Sequence, residues 1–411
     1  MKKEFVFFVF FVFSFLSLSF AQTIKTGYWT GNLTLTKDQS LPFIFNVTKK
    51  DHAIIFKIKN SNEEIVLINN SHNLDSLILS FPNFNSQLHL HKKSKKELVG
   101  YWINFNKGLD YRIPCTVNYG YHYRFEKNKS FNTSNDVSLF HGKWEVTFEH
   151  ENPNMYKAVG IFKQNSTLLS GTFLTETGDY RFLEGNVFGD SLFLSCFDGS
   201  HAFLFTGKLN ENQQITGNFY SGKHYKGSWI GKLNADFSLT HPDSITKIKD
   251  SSYFSFKSFN LDSSLFSFPN SNYSNKVVVI QLMGTWCPNC MDETVFLQSM
   301  FDKYHSNGLE VIAIAYEMGE NFENQCNQLN KFIERKQIRY KVTLGGTASK
   351  KLASEQFNML NEITSFPTTL FIGKDGKIKK IHTGFYGPGT GEYYQEFIYE
   401  KEQFILKLLN D

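Results

Sequence analysis

The chain has 411 residues, 41% of them hydrophobic and 16% aromatic, with a formal charge of +4 at pH 7. That length allows about two to four domains, and that apolar content fills packed cores, so an intrinsically disordered chain is excluded. No basic stripe and no Gly-rich phosphate loop stands out, which removes the nucleic-acid and nucleotide-binding classes.

Lys2 and Lys3 precede an apolar run from Phe5 to Phe20 that closes at Ser19-Phe20-Ala21. A positive start, a short apolar middle and small residues at the cut make residues 1–21 a secretory signal peptide, cleaved after Ala21. The run falls short of the ~20 apolar residues of a spanning helix. The membrane is therefore a partner only if this segment stays uncleaved. Export implies the periplasm or cell envelope, where disulfides persist.

Residues 24–240 carry short strand-like runs between Asn, Gly, Lys and Asp clusters: Leu33 to Thr36, Ile54 to Ile58, Leu77 to Phe81, Leu168 to Leu174, Ser191 to Ser195 and Ala202 to Phe205. This is an antiparallel all-β pattern. It repeats. Gly27-Tyr28-Trp29 returns as Gly142-Lys143-Trp144, and Asp75-Ser76-Leu77 returns as Asp190-Ser191-Leu192, at one step of 115 residues (142 − 27 = 190 − 75). The expectation is two related β modules, 24–130 and 138–240, joined by the polar stretch Glu126 to Asp136. Tyr28, Trp29, Trp102, Tyr119, Tyr121 and Tyr123 fit cross-strand packing better than a binding face. Cys115 and Cys196 either pair or remain buried thiols, since a free cysteine packs like a small hydrophobe.

Residues 241–253, rich in Ser, Lys and Asp, read as a linker, and 254–411 change to an alternation of strands and helices. Phe254 to Phe259 suits an opening strand. Lys276 to Met283 is a continuous apolar run of the buried-strand kind. Then come Gly284-Thr285-Trp286-Cys287-Pro288-Asn289-Cys290-Met291-Asp292-Glu293, and a helix whose apolar positions run Cys290, Thr294, Leu297, Phe301 and Tyr304 up to Gly308. Pro288 suits the first helical position. A helix start lowers the pKa of a thiol placed there, and Cys290, one turn on, can face Cys287 and close a small ring. A zinc site would want two more nearby ligands, whereas Cys115, Cys196 and Cys326 are isolated. A structural bridge across so short a loop would stabilise little. Dithiol/disulfide exchange is the reading that remains. Leu309 to Tyr316 is a second buried strand, Phe322, Cys326, Leu329 and Ile333 mark a helix with Cys326 on its apolar face, Ala348 to Leu360 reads as another helix, and Lys377 to His382 as a strand.

Trp286-Cys287-Pro288-Asn289-Cys290, Glu293 and Ile363-Thr364-Ser365-Phe366-Pro367-Thr368-Thr369 together resemble the TlpA/ResA-type branch of the thioredoxin-like superfamily, the exported disulfide reductases. The resemblance covers about 254–411 and implies an α/β thioredoxin-like domain behind the two β modules. It further implies that Pro367 is cis and lies against a redox-active Cys287–Cys290 disulfide, and that Glu293 moves protons. Trp286, Pro288, Phe366 and Pro367 would form the substrate surface. Gln281 departs from thioredoxins proper, which carry a buried aspartate there. The expected partners are disulfide-bearing or thiol proteins and an upstream electron donor, with no metal or organic cofactor. Two alternatives stand beside this. A thiol peroxidase would want Thr three residues before its cysteine, but Thr285 stands two before Cys287. An envelope binding protein would place the main function in the β modules. Asp292 and Glu293 add negative charge near Cys287, which argues for a reducing rather than an oxidising pair.

Overall fold

The computed structural model describes residues 24–51, 53–72, 75–108, 110–120, 124–125, 138–150, 152–249 and 254–411. The expected signal peptide, Tyr121, Tyr123, the stretch Glu126 to Asp136 and residues 250–253 of the linker lie outside the described residues.

Among the described residues, eight antiparallel strands from Gly27–Thr34 to Arg112–Tyr119 pair in chain order and close into a barrel. Closure sets Gly31 opposite Val117 and Leu33 opposite Cys115. Strand alternation fills it: Trp29, Gly31 and Leu33 are buried while Tyr28 and Thr34 face outward. A second ring of eight runs from Gly142–Phe148 to Tyr225–Leu233, closing where Trp229 meets Phe148 and Gly231 meets Val146. A short additional strand, Gly178–Asp179, hangs on the end of Leu168–Thr175.

The starts of the rings match in detail. Gly27 and Gly142 hold φ of +120° and +119°, a region closed to other residues. Two residues on, Trp29 and Trp144 turn inward and donate their indole N–H to Lys25 O at 3.1 Å and Phe140 O at 3.0 Å. Trp29 and Trp102 are core, each 1% exposed, whereas Tyr28 and Tyr119 lie on the surface. Cys115 and Cys196 are free and buried in different cores, so they form no pair.

The barrels share packing. Phe197 of the second ring lies within 5.2 Å, centroid to centroid, of Phe43, Phe81 and Trp102 of the first. Ser195 Oγ donates to Pro42 O at 2.7 Å.

The C-terminal region is a seven-stranded mixed sheet in the order Leu265–Phe268, Phe256–Phe259, Lys341–Thr347, Leu309–Glu317, Val277–Met283, Thr368–Ile372, Ile378–Thr383. The three central strands are parallel. Val277–Met283 is buried along its whole length, as a strand covered on both faces must be. The helices are Pro288–Tyr304, Phe322–Lys336, Lys350–Gln356 and Glu392–Asn410. The helix expected over 348–360 is shorter at both ends: the Ser349 side chain accepts from Leu352 N and fixes the start, and the chain leaves helical geometry at Phe357.

The expected linker is not a free tether over its described part. Asp243 binds His382 and Lys401, Thr246 Oγ1 bonds Thr383 Oγ1 at 2.8 Å, and Ile248 bridges to Leu360. Residues 242–249 are thus packed as part of the C-terminal unit.

Candidate active site

Val277–Met283 delivers the chain to Gly284, where a side chain cannot fit: an added Cβ would lie 2.3 Å from the Trp286 indole nitrogen and 2.8 Å from Tyr316 O. That close turn aims Cys287 at the start of helix Pro288–Tyr304. Cys287 is its N-cap, its Sγ accepting from Cys290 N at 3.2 Å, and Pro288 opens the helix. Cys287 and Cys290 are bonded to each other. Cys287 keeps 7% of its surface exposed, whereas Cys290 has none. One thiol can meet a substrate and the other cannot.

The Phe366–Pro367 peptide is cis, and Phe366 O lies 3.5 Å from Cys287 Sγ. The Phe366 ring stacks on Tyr316, centroids 5.1 Å apart, and meets Trp286 edge-on. Trp286 is anchored by its indole N–H to Tyr316 O at 2.8 Å. These residues wall the disulfide on its cis-proline side.

Glu293 lies one turn beyond Cys290 and is fully enclosed. Its carboxylate accepts from Thr369 Oγ1 at 2.7 Å and Gln281 Nε2 at 2.8 Å. Burial pushes its pKa from 4.5 up to about 7, against the pull of those two hydrogen bonds. Gln281 also donates to Cys290 O at 3.2 Å, so it ties Glu293 to the redox turn. A carboxyl that titrates near neutrality beside the inner thiol is suited to exchanging a proton with it.

The sequence reading missed a second such carboxyl. Glu317 ends the strand Leu309–Glu317, accepts from Thr285 N at 2.7 Å and Thr285 Oγ1 at 2.6 Å, and is likewise raised to about 7 by burial. Its one sequence signal is a carboxylate closing the apolar run from Leu309 to Tyr316.

The negative charge expected to make the pair reducing is not free in the structure. Asp292 is paired with the guanidinium of Arg181, from the second barrel, and Glu293 is pushed toward its neutral form. Neither carboxyl sets a free negative charge against Cys287. Arg181 also binds Glu63 of the first barrel at 3.0 Å and lies 3.5 Å from Asp198. One buried arginine therefore joins all three parts of the fold.

The redox turn of this α/β unit, with its cis-proline loop, is the setting for the comparisons with known proteins. Residues 254–381 match the AhpC/TSA family. The C-terminal region is a thioredoxin-like domain. The thiol-disulfide oxidoreductase ResA of Geobacillus thermodenitrificans is 30% identical to it over 116 residues, which are 28% of this chain and 58% of that protein. ResA of Bacillus subtilis is 24% identical over 114 residues, 28% of this chain and 56% of that protein. This chain thus spans little more than half the length of the curated relatives it matches. Among solved structures, a thioredoxin family thiol:disulfide interchange protein from Chlorobium tepidum covers 40% of this chain and 99% of its own at 18% identity, TM-score 0.30. StoA from Bacillus subtilis covers 38% and 98% at 17% identity, TM-score 0.27. All of these sequence matches fall on the thioredoxin-like domain. Among the described residues no helix is long and apolar enough to cross a membrane.

Thiol reactivity in the thioredoxin-like domain follows from its burial pattern. Alkylation of the reduced protein near neutral pH is expected to label Cys287 first. Cys290 should lag, and Cys115, Cys196 and Cys326, whose thiols burial pushes upward, should label only on unfolding. Mass mapping that finds Cys326 labelled as fast as Cys287 would refute this order.

Proposed function

We propose that the chain is an exported thiol-disulfide oxidoreductase that reduces substrate disulfides. Cys287, Cys290 and Glu293 do the chemistry, and Trp286, Pro288, Phe366 and Pro367 bound the substrate. The observation that carries this is the asymmetry of the pair, with Cys287 reachable at a helix start and Cys290 sealed beside a carboxyl raised to about 7.

In the reduced enzyme the Cys287 thiolate attacks one substrate sulfur. A mixed disulfide forms and the other substrate sulfur leaves as a thiolate. Cys290 gives its proton to Glu293, attacks Cys287 Sγ and closes the 287–290 bond, releasing the second substrate thiol. Two electrons have passed to the substrate, and an upstream dithiol donor restores the pair.

Three further readings go with this one. The segment 1–21 is a cleaved export signal, which suits a periplasmic or envelope site for such chemistry. The chain divides into β modules 24–130 and 138–240 and the domain 254–411, with the segment 241–253 between them packed on that domain over residues 242–249. The two modules are copies of one ancestral barrel, supported by the matched glycine and tryptophan geometry at their starts.

The test uses reduced full-length protein with a short synthetic peptide disulfide. Reduction should be lost in Cys287→Ser, while Cys290→Ser should accumulate a mixed disulfide with the peptide. Peroxide consumption without disulfide reduction would refute the proposal. By its resemblance to the disulfide reductases, and with no charge argument behind it, the pair is expected to have a reduction potential below about −200 mV, and a value near about −120 mV would make the protein a disulfide donor instead.

A further inference from the structure

We infer that the two barrels form the far wall of the substrate site, and that the disulfides reduced here are those borne on a single extended peptide strand. This rests on the reductase reading and narrows its substrate class.

The disulfide face of the thioredoxin-like domain is not open. The second barrel touches it on both sides of Cys287. On the cis-proline side, Ser365 Oγ donates to Thr177 O at 3.1 Å, and Gly387 N donates to Asp179 Oδ2 at 2.6 Å. The approach is so close that a Cβ on Gly178 would stand 2.1 Å from the Asn289 amide nitrogen, and a Cβ on Gly384 would stand 2.7 Å from the Thr177 carbonyl carbon. On the tryptophan side, Ser200 Oγ donates to Trp286 O at 3.3 Å.

What remains is a cleft of about 830 Å³ in which Cys287, Trp286 and Phe366 face Thr177 and Ser200 of the second barrel and Asn104 of the first. That volume lies within the range of about 300–1,000 Å³ of sites that enclose a small molecule or short peptide. A folded protein partner would need about 800 Å² of open surface on this side, whereas Cys287 keeps only 7% of its surface exposed between barrel contacts at Gly178 and Ser200. Amide and hydroxyl groups between aromatic rings suit a peptide backbone and its side chains.

The docked arrangement is also held. Arg181 is 5% exposed and binds Asp292 on the redox helix and Glu63 on the first barrel. Undocking would have to separate Arg181 from Asp292 and break the Ser365–Thr177, Gly387–Asp179 and Ser200–Trp286 hydrogen bonds together.

The experiment compares reduction rates of one disulfide in different settings by the reduced full-length protein. A glutathione-capped cysteine is presented on a short linear peptide, within a long unfolded chain, and on the surface of a folded protein. The peptide is expected to react at least about tenfold faster than the folded carrier, the scale of discrimination a fitted pocket supplies. A comparable rate on the unfolded chain supports any extended strand as substrate, and a rate on the short peptide alone supports free peptides. Asn106→Trp, at the first barrel's side of the cleft, should slow the peptide reaction while the Cys287–Cys290 disulfide still forms. Equal rates on peptide and folded carrier, or an unslowed Asn106→Trp, overturns the inference and leaves the reductase reading standing. Failure to reduce the disulfide in all three settings overturns both.

Discussion

Replacing Asp243 by alanine is expected to destabilise the thioredoxin-like domain by about 3 kcal/mol, the low end of the range for stripping one partner from a buried ion pair. Asp243 accepts from Lys401 Nζ at 3.0 and 3.3 Å and pairs with His382 at 2.6 Å and Lys380 at 3.0 Å. The Lys401 side chain is only 1% exposed, so the variant strands an ammonium in the core. Urea unfolding at pH 7 should show the loss, and Asp243→Ala with Lys401→Met should recover most of it. An unchanged midpoint in the single variant would dismiss the pair as structural support. The same cluster sets the acid response. Burial opposes the Asp243 charge, yet the bond to His382 and the charge of Lys401 hold its carboxyl well below the usual range. Burial pulls His382 from 6.5 down to about 4. Both groups bind protons more tightly when unfolded, so both contributions are complete above pH 6.5 and fade as pH falls. An isolated C-terminal fragment should accordingly begin at His241, not at Phe254.

Glu293→Gln is expected to act in two opposite ways. The raised carboxyl binds its proton more tightly in the oxidised fold than when unfolded. Its contribution is therefore complete below pH 4.5 and is lost as pH rises through about 7. Well above pH 7 the wild type gives up about 3 kcal/mol on this account. The glutamine variant should not lose that share, and its stability should decline less between pH 5 and 9. Turnover should fall by about 10²-fold or more, the usual worth of a positioned acid–base group. Flattened stability with unchanged turnover would make Glu293 a packing residue. An unaltered pH dependence of stability would mean the carboxyl titrates normally.

The redox turn could be read from the chain because local signals converge there: an apolar run, a proline at the first helical position and cysteines spaced by one turn. The extent of the β region could be read as well, since Leu77 to Phe81 and Ala202 to Phe205 are short runs between turn residues. Leu41 to Phe45 are instead buried without alternation, because the second barrel, through Ser195 and Phe197, covers the strand's outer side. Ring closure was not legible, since it depends on pairing ends that no periodicity links. Nor was the Arg181 cluster, whose partners Glu63 and Asp292 lie 118 and 111 residues away. Asp243 was hidden for a similar reason. A Ser/Lys/Asp-rich stretch has the composition of a tether, and only contact with Lys401 and His382 makes it structural.

Closing each barrel through its first and last strands has a kinetic side. Cys115 sits on the strand that completes the first ring, opposite Leu33. Pairings so distant in sequence form slowly, because the loop must be gathered before any contact rewards it. Until then Cys115 is an ordinary exposed thiol on a chain that carries four others. Its burial and its oxidation are therefore a race, and the sooner the first ring closes, the shorter the time in which Cys115 can be drawn into a disulfide with the wrong partner.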